Sequence, residues 1–139
     1  MWTEWMAMAT VFTQIMNGDL PGRIVWSDER VAAFLTIAPL TAGHTLVVPR
    51  AEIDDWTQLP AELLGHVMTV SHLVGAALKR AYDAPRAGLV IAGFEVPHAH
   101  VHVFPAFGME DFDFSRIETN VPAERLDDDL KRIRAALNG

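Results

Sequence analysis

Three histidines at alternate positions, His98, His100 and His102, are the residues of this chain best suited to chemistry. They lie in the run His98-Ala-His-Val-His-Val-Phe-Pro105. Alternation with small and β-branched apolar residues is the period of a strand with one polar and one apolar face. Residues i, i+2 and i+4 share a face, so the three imidazoles are expected to look the same way, neighbours roughly 6.8 Å apart. Val101 and Val103 would face the core and fix the register, because a one-residue slip would bury the histidines. Pro105, with no N–H for a ladder, is expected to end the pairing. Four readings compete. A lone histidine on a sheet is ordinarily structural, but three in strict alternation are poorly explained that way. A purification tag is excluded, since the run is internal, interrupted and built of strand formers. Metal ligation is open, because His-x-His on a strand supplies two ligands to zinc or iron. Catalysis is open too: imidazole is nucleophilic, titrates near neutrality and donates to phosphate oxygens.

The pattern His-φ-His-φ-His-φ-φ, with φ apolar, resembles the signature of the histidine-triad (HIT) superfamily of nucleotidyl hydrolases and transferases. The likeness continues upstream through Thr10-Val-Phe-Thr-Gln-Ile-Met, Leu20-Pro-Gly-Arg-Ile-Val, Phe34-Leu-Thr-Ile-Ala-Pro and Gly43-His-Thr-Leu-Val-Val-Pro. These stretches are similar to the Hint-like branch, in the same order, over residues 10–105. The resemblance implies cleavage of the α-phosphate linkage of a nucleoside phosphoramidate or dinucleoside polyphosphate through a nucleotidyl-histidine intermediate. His100 matches the nucleophile, with its δ nitrogen tied to a backbone carbonyl. His102 matches the donor to phosphate oxygens, and His98 with His44 would complete the polar cluster.

The resemblance further implies that Phe12, Ile15, Leu20, Phe34 and Ile37 form the slot for the base. By residue type alone these five are equally well core. Thr36 stands in the nucleotide site where relatives carry an Asp that holds the ribose hydroxyls, so a bidentate grip on the diol is lost. The loop before the triad, Ile91-Ala-Gly-Phe-Glu-Val-Pro97, is shorter than in relatives. Phe94 replaces a Gln there and Glu95 a hydroxyl residue. A carboxylate near a phosphate costs electrostatic energy unless Glu95 points away or meets a cation. Thr10, Thr13 and Glu52 occupy the places where some relatives hold structural zinc, so neither a metal nor another cofactor is expected.

These residues need a sheet and its supports. Residues 10–17 read as a short helix stopped by Asn17-Gly18 as a left-handed cap. Residues 23–27 and 31–35 read as a hairpin around Asp28-Glu29, and 44–48 as a strand ending at Pro49. A long helix should run from Pro60 to residue 81 or 82, burying Leu63, Leu64, Val67, Leu73, Val74, Ala77 and Leu78. Asp83-Ala-Pro85 breaks it, and residues 89–92 form the strand that leads to the histidines. An acidic, phenylalanine-bearing loop follows. The last helix, residues 122–137, places Leu126, Leu130, Ile133 and Leu137 on one face. The fold class is α+β, a five-stranded, mostly antiparallel sheet with one long and several shorter helices. Residues 1–9 are read as an extension, 10–107 as the HIT-like domain and 108–139 as a C-terminal loop and helix. His66 and His72 belong to no motif and receive no role.

The chain has 139 residues, enough for one core and too few for two. Its net charge of −7 argues against a nucleic-acid surface or an anionic membrane as partner, while a small anionic ligand needs only a local field. With no cysteine there is no disulfide or thiolate metal site, a composition that fits a cytoplasmic protein. Met1 to Ala9 lacks the basic start of a signal peptide and carries Glu4, and no stretch is uninterruptedly apolar over a membrane's width. A homodimer is implied by the resemblance, through the long helix and a sheet edge. Two other classes compete with the enzyme: a nucleotide-binding scaffold weakened at Thr36, Phe94 and Glu95, and a metal-dependent enzyme using His44 and the three alternating histidines.

Overall fold

Asp28 closes the hairpin from which the sheet is built. Strands β1 (Ile24–Ser27) and β2 (Val31–Leu35) flank it. Its carboxylate accepts from the backbone N–H groups of Arg30 and Val31, the Trp26 indole and His66 Nε2, all at 2.7–2.9 Å. Burial pushes this carboxyl up, but the four donors together outweigh it and hold it below the ordinary range. The computed structural model describes residues 9–139, so the extension expected over residues 1–9 lies, Ala9 apart, outside the described residues.

Strand β3 (Thr45–Pro49), β4 (Arg86–Val90) and β5 (Val101–Ala106) complete an antiparallel sheet in the order β1-β2-β3-β5-β4. Its two faces differ. Val31, Ala33, Val47, Val101 and Val103 face the long helix and the C-terminal helix, in one core with Val70, Val74 and Ile133. Phe34, Leu46 and His102 are cross-strand neighbours and therefore stand on the opposite face. There the short helix α1 (Val11–Met16) adds Phe12 to Phe34, Leu46 and Val48. Helix α2 spans Ala61–Tyr82 and α3 spans Ala123–Asn138. Helix α2 is long and apolar enough to cross a membrane by length and composition, but it serves this fold as the core helix of the sheet.

Four local expectations are corrected. The ladder of β5 begins only at Val101, after His98 and His100. Continuing its register would set Ala99 opposite Pro49, which has no N–H to give, and Ala99 instead donates to the Ile53 carbonyl at 2.7 Å. Pro105 does not end the strand; it pairs with Ala87 on one side. Its carbonyl accepts from Thr41 Oγ1 on the other side, beyond the last β3 pair, so the missing N–H costs no ladder bond. Strand β4 lies earlier than residues 89–92, because Gly88 sits opposite Phe104 and leaves the space that its ring fills. Leu73 is exposed rather than buried: six residues on from Val67, it is turned about 120° from the centre of the buried stripe, and Val70, Ser71 and Gly75 take the buried places.

Candidate active site

All four histidines picked out by sequence are buried: His44, His98, His100 and His102 are each at most 7 % exposed. The open polar face expected of the histidine run is therefore roofed. Phe12 lies edge-on to His100, ring centres 4.9 Å apart, and tilted against His98 at 5.7 Å. Phe114 stands edge-on to His102 at 5.0 Å. His44 is delivered by a turn in which Gly43 has φ +93° and the Tyr82 ring occupies the place of a Cβ, so only glycine fits.

The hydrogen bonds of neutral rings assign a tautomer to each. The backbone N–H of Leu40 donates to His44 Nδ1 at 2.9 Å, which leaves the His44 proton on Nε2. That nitrogen lies 3.0 Å from His102 Nδ1 and donates to it, so the His102 proton is also on Nε2. His100 is the reverse: its Nδ1 lies 2.8 Å from the His98 carbonyl and must donate, leaving a lone pair on Nε2. A hydrogen-bond donor on His102 and an acceptor on His100 thus stand side by side, with ring centres 4.9 Å apart.

Burial pushes His44 down to about 3, helped by repulsion from His102 and His100. Burial, with His100, pushes His102 down to about 4. His98 is lowered by burial too, although the Pro49 carbonyl and Glu52 partly offset it. A histidine whose folded value lies below its ordinary 6.5 takes up its proton on unfolding. Its contribution to stability is therefore intact above pH 6.5, falls as the pH drops below that value, and levels off once the folded value is passed. At pH 5 the slope of unfolding free energy against pH should correspond to close to two protons per chain from His44 and His102 together. His44→Gln should lower that slope by about one proton. Denaturant titrations from pH 4.5 to 7.5 measure both values, and a flat profile would contradict neutral buried rings.

Two cavities flank the histidines, and Phe12, in the wall of the larger, packs on His100, in the wall of the smaller. The larger, of about 390 Å³, is walled by all six residues named for the nucleotide: Phe12, Ile15, Leu20, Phe34, Thr36 and Ile37. Val11, Pro21, Gly22, Arg23, Leu35 and Leu46 complete its lining; Arg23 is paired to Asp127 at 2.8 Å. Thr36 Oγ1 accepts from the Ala38 N–H at 3.1 Å, and its own proton is left to donate. The smaller cavity, of about 230 Å³, is bounded by His100, His102, Phe114 and the loop 92–95, with Phe94 almost wholly exposed. Sequence reasoning missed Phe114 and the Leu40 N–H. The first was legible only as one aromatic in an acidic loop, and the second is a backbone group with no residue-type signal.

Thr10, Thr13 and Glu52 do gather beside His98. Thr10 N–H donates to Glu52 at 2.8 Å, and Thr10 Oγ1 lies 2.6 Å from His98 Nδ1 and 3.3 Å from Thr13 Oγ1. Two hydroxyls, an exposed carboxylate and an imidazole already bonded through both nitrogens do not fit a structural zinc site, which takes thiolates and free imidazoles. Among the described residues no three His, Asp or Glu side chains converge to hold a metal.

Comparison with known proteins agrees with this geometry. The HIT domain family model matches residues 17–109. An uncharacterized HIT-like protein of Borreliella burgdorferi is 37% identical over 113 residues, 76% of this chain and 81% of the relative. The purine nucleoside phosphoramidase of Escherichia coli K12 is 32% identical over 104 residues, 70% of this chain and 87% of that enzyme. Among solved structures, a zinc-bound histidine triad family protein from Mycobacterium smegmatis superimposes with a TM-score of 0.80 at 28% identity, over 94% of each chain. With the sheet order, the alternating histidines and the family match in agreement, this chain belongs to the HIT family.

Proposed function

We propose that the protein is a nucleotidyl hydrolase or transferase that cleaves the α-phosphate linkage of a nucleoside phosphoramidate through a nucleotidyl intermediate on His100. The observation that carries this reading is an unprotonated His100 Nε2 beside the N–H of His102 in the wall of the smaller cavity, with Phe12 of the apolar cavity packed on His100. The apolar cavity suits a base, stacked between Phe12, Phe34 and the aliphatic walls. His100 Nε2 attacks phosphorus as the P–N bond breaks. The ring becomes an imidazolium, and its Nδ1–H already points at the His98 carbonyl. His102 Nε2–H donates to a phosphoryl oxygen as charge builds. The departing amine takes a proton from solvent, and the water that later attacks phosphorus returns it, releasing nucleoside monophosphate and His100.

Of the two linkages, the phosphoramidate is favoured by charge. The smaller cavity has no Lys or Arg in its wall, and Glu95 is part of that wall. A polyphosphate leaving group would face this carboxylate uncompensated, whereas an amine would be attracted. The name of the E. coli relative accords with that choice. A binding protein without turnover is the second reading, motivated by Phe94 and Glu95 in the same wall. We also infer a homodimer. Strand β4 is a sheet edge that exposes Leu89, Met68 of α2 lines one cavity with it, and α2 also exposes Leu73.

Two experiments test these statements. Steady-state kinetics should give turnover of a purine nucleoside phosphoramidate with a higher kcat/KM than a dinucleoside polyphosphate, and Glu95→Gln should narrow that ratio about tenfold. His100→Ala should lower kcat by roughly 10³-fold or more while nucleotide affinity changes only a few-fold. Binding without turnover in the unaltered protein would favour the second reading. Sedimentation at micromolar concentration should return twice the 15.4 kDa chain mass, and a clean monomer would remove the dimer.

A further inference from the structure

His98 and His100 lie outside the β5 ladder, so no strand partner holds the His98 carbonyl that accepts the His100 proton. The His98 side chain is anchored instead, at both ring nitrogens. Nε2 lies 2.7 Å from the Pro49 carbonyl, an acceptor only, which fixes the proton there. Nδ1 is left as an acceptor for the Thr10 hydroxyl at 2.6 Å. The same hydroxyl oxygen accepts the Thr13 N–H at 3.2 Å as the N-cap of α1. Thr10 N–H in turn is held by Glu52 at 2.8 Å, and the hydroxyl of Thr13, with the N–H of Thr10 second to it, keeps that carboxyl below its usual range.

We propose that Thr10, backed by Glu52, is a positioning residue for the nucleophile, acting through His98: the chain Glu52–Thr10–His98 fixes the backbone carbonyl that orients His100. This extends the catalytic reading above and rests on it for its kinetic arm. At Thr10, Thr13 and Glu52 no metal–ligand bonds are available, and hydrogen bonds between a helix cap, a carboxylate and the His98 imidazole tie these elements together. One residue serves two elements. By capping α1, Thr10 also sets Phe12, whose ring walls the nucleotide cavity and covers His100. A shift at Thr10 therefore reaches both the cavity wall and the acceptor on His98. Misplacement of a reacting atom by even 1 Å costs about 10²-fold in rate. The tie matters for that reason.

The test uses Thr10→Val, which keeps shape and loses the hydroxyl, Thr10→Ser, which restores it, and Glu52→Ala with Glu52→Gln as its conservative counterpart. Nitrogen-15 spectra of the histidine side chains, recorded without nucleotide, report the tautomers of His98 and His100. Thr10→Val should move or broaden the His98 Nδ1 and His100 Nδ1–H signals and lower kcat by roughly 10- to 100-fold with KM within about threefold. Thr10→Ser should return both readouts to those of the unaltered protein. Glu52→Ala should show the same pattern at roughly a third to a tenth of the kinetic effect, since Glu52 is exposed and one bond further away. Glu52→Gln should keep most of the activity. If Thr10→Val fails to fold, the Glu52 pair carries the test. Unchanged histidine signals and kcat in both Thr10→Val and Glu52→Ala would overturn the proposal, as would a rise in KM alone. Failure of the catalytic reading would appear separately, as absent turnover in the unaltered protein with the spectral changes still present.

Discussion

Everything at the centre of this protein depends on protons being placed by groups that can only give or only accept. Leu40 N–H can only donate, and it thereby orders His44 and, through it, His102. The His98 carbonyl can only accept, and it orders His100 the other way round. Two imidazoles of the same chemical type thus bring opposite functions to the wall of one cavity. Burial reinforces the arrangement by disfavouring the charged forms of His44, His98 and His102, so the order does not rely on solution pH near neutrality.

The sheet supplies the geometry for this order. Its helix-packed face is an ordinary aliphatic core, and that burial holds the register. With the register fixed, Phe34, Leu46 and His102 must share the other face, which brings an apolar cavity wall beside the histidines. The residues nearest the chemistry, His98 and His100, are released from the ladder by Pro49 and held by side-chain bonds instead. The His98 backbone carbonyl is thereby left to serve as the acceptor for His100.

Much of this was legible in the sequence. Period-two alternation announced β5, although only His102 of the three histidines lies within it, and spacing with turn residues located the hairpin, the long helix and the last helix close to their observed bounds. The six residues named for the nucleotide slot were legible through resemblance, and they do wall one cavity. What was not legible is pairwise. Whether Pro49 or Pro105 limits the histidine strand depends on which side of the strand each missing N–H would face. Gly88 reads as a strand breaker until Phe104 lies over it. Burial of the histidines depends on Phe12 and Phe114, one far upstream and one in a loop without periodicity. Thr10 and Glu52 read only as missing ligands, and their bonds to one another and to His98 appear only in three dimensions. His66, left without a role, is the donor that ties α2 to Asp28 in the hairpin turn.

The central claim is that the lone pair of His100 Nε2 is aimed at phosphorus. Rapid-quench intact-mass measurement during turnover of a purine nucleoside phosphoramidate tests it most directly. The account predicts a transient, acid-labile increment of one nucleoside monophosphate, mapped by fragmentation to His100 and formed at a rate no slower than turnover. Turnover with the chain mass unchanged at every time point, or an increment mapped to another residue, would contradict it.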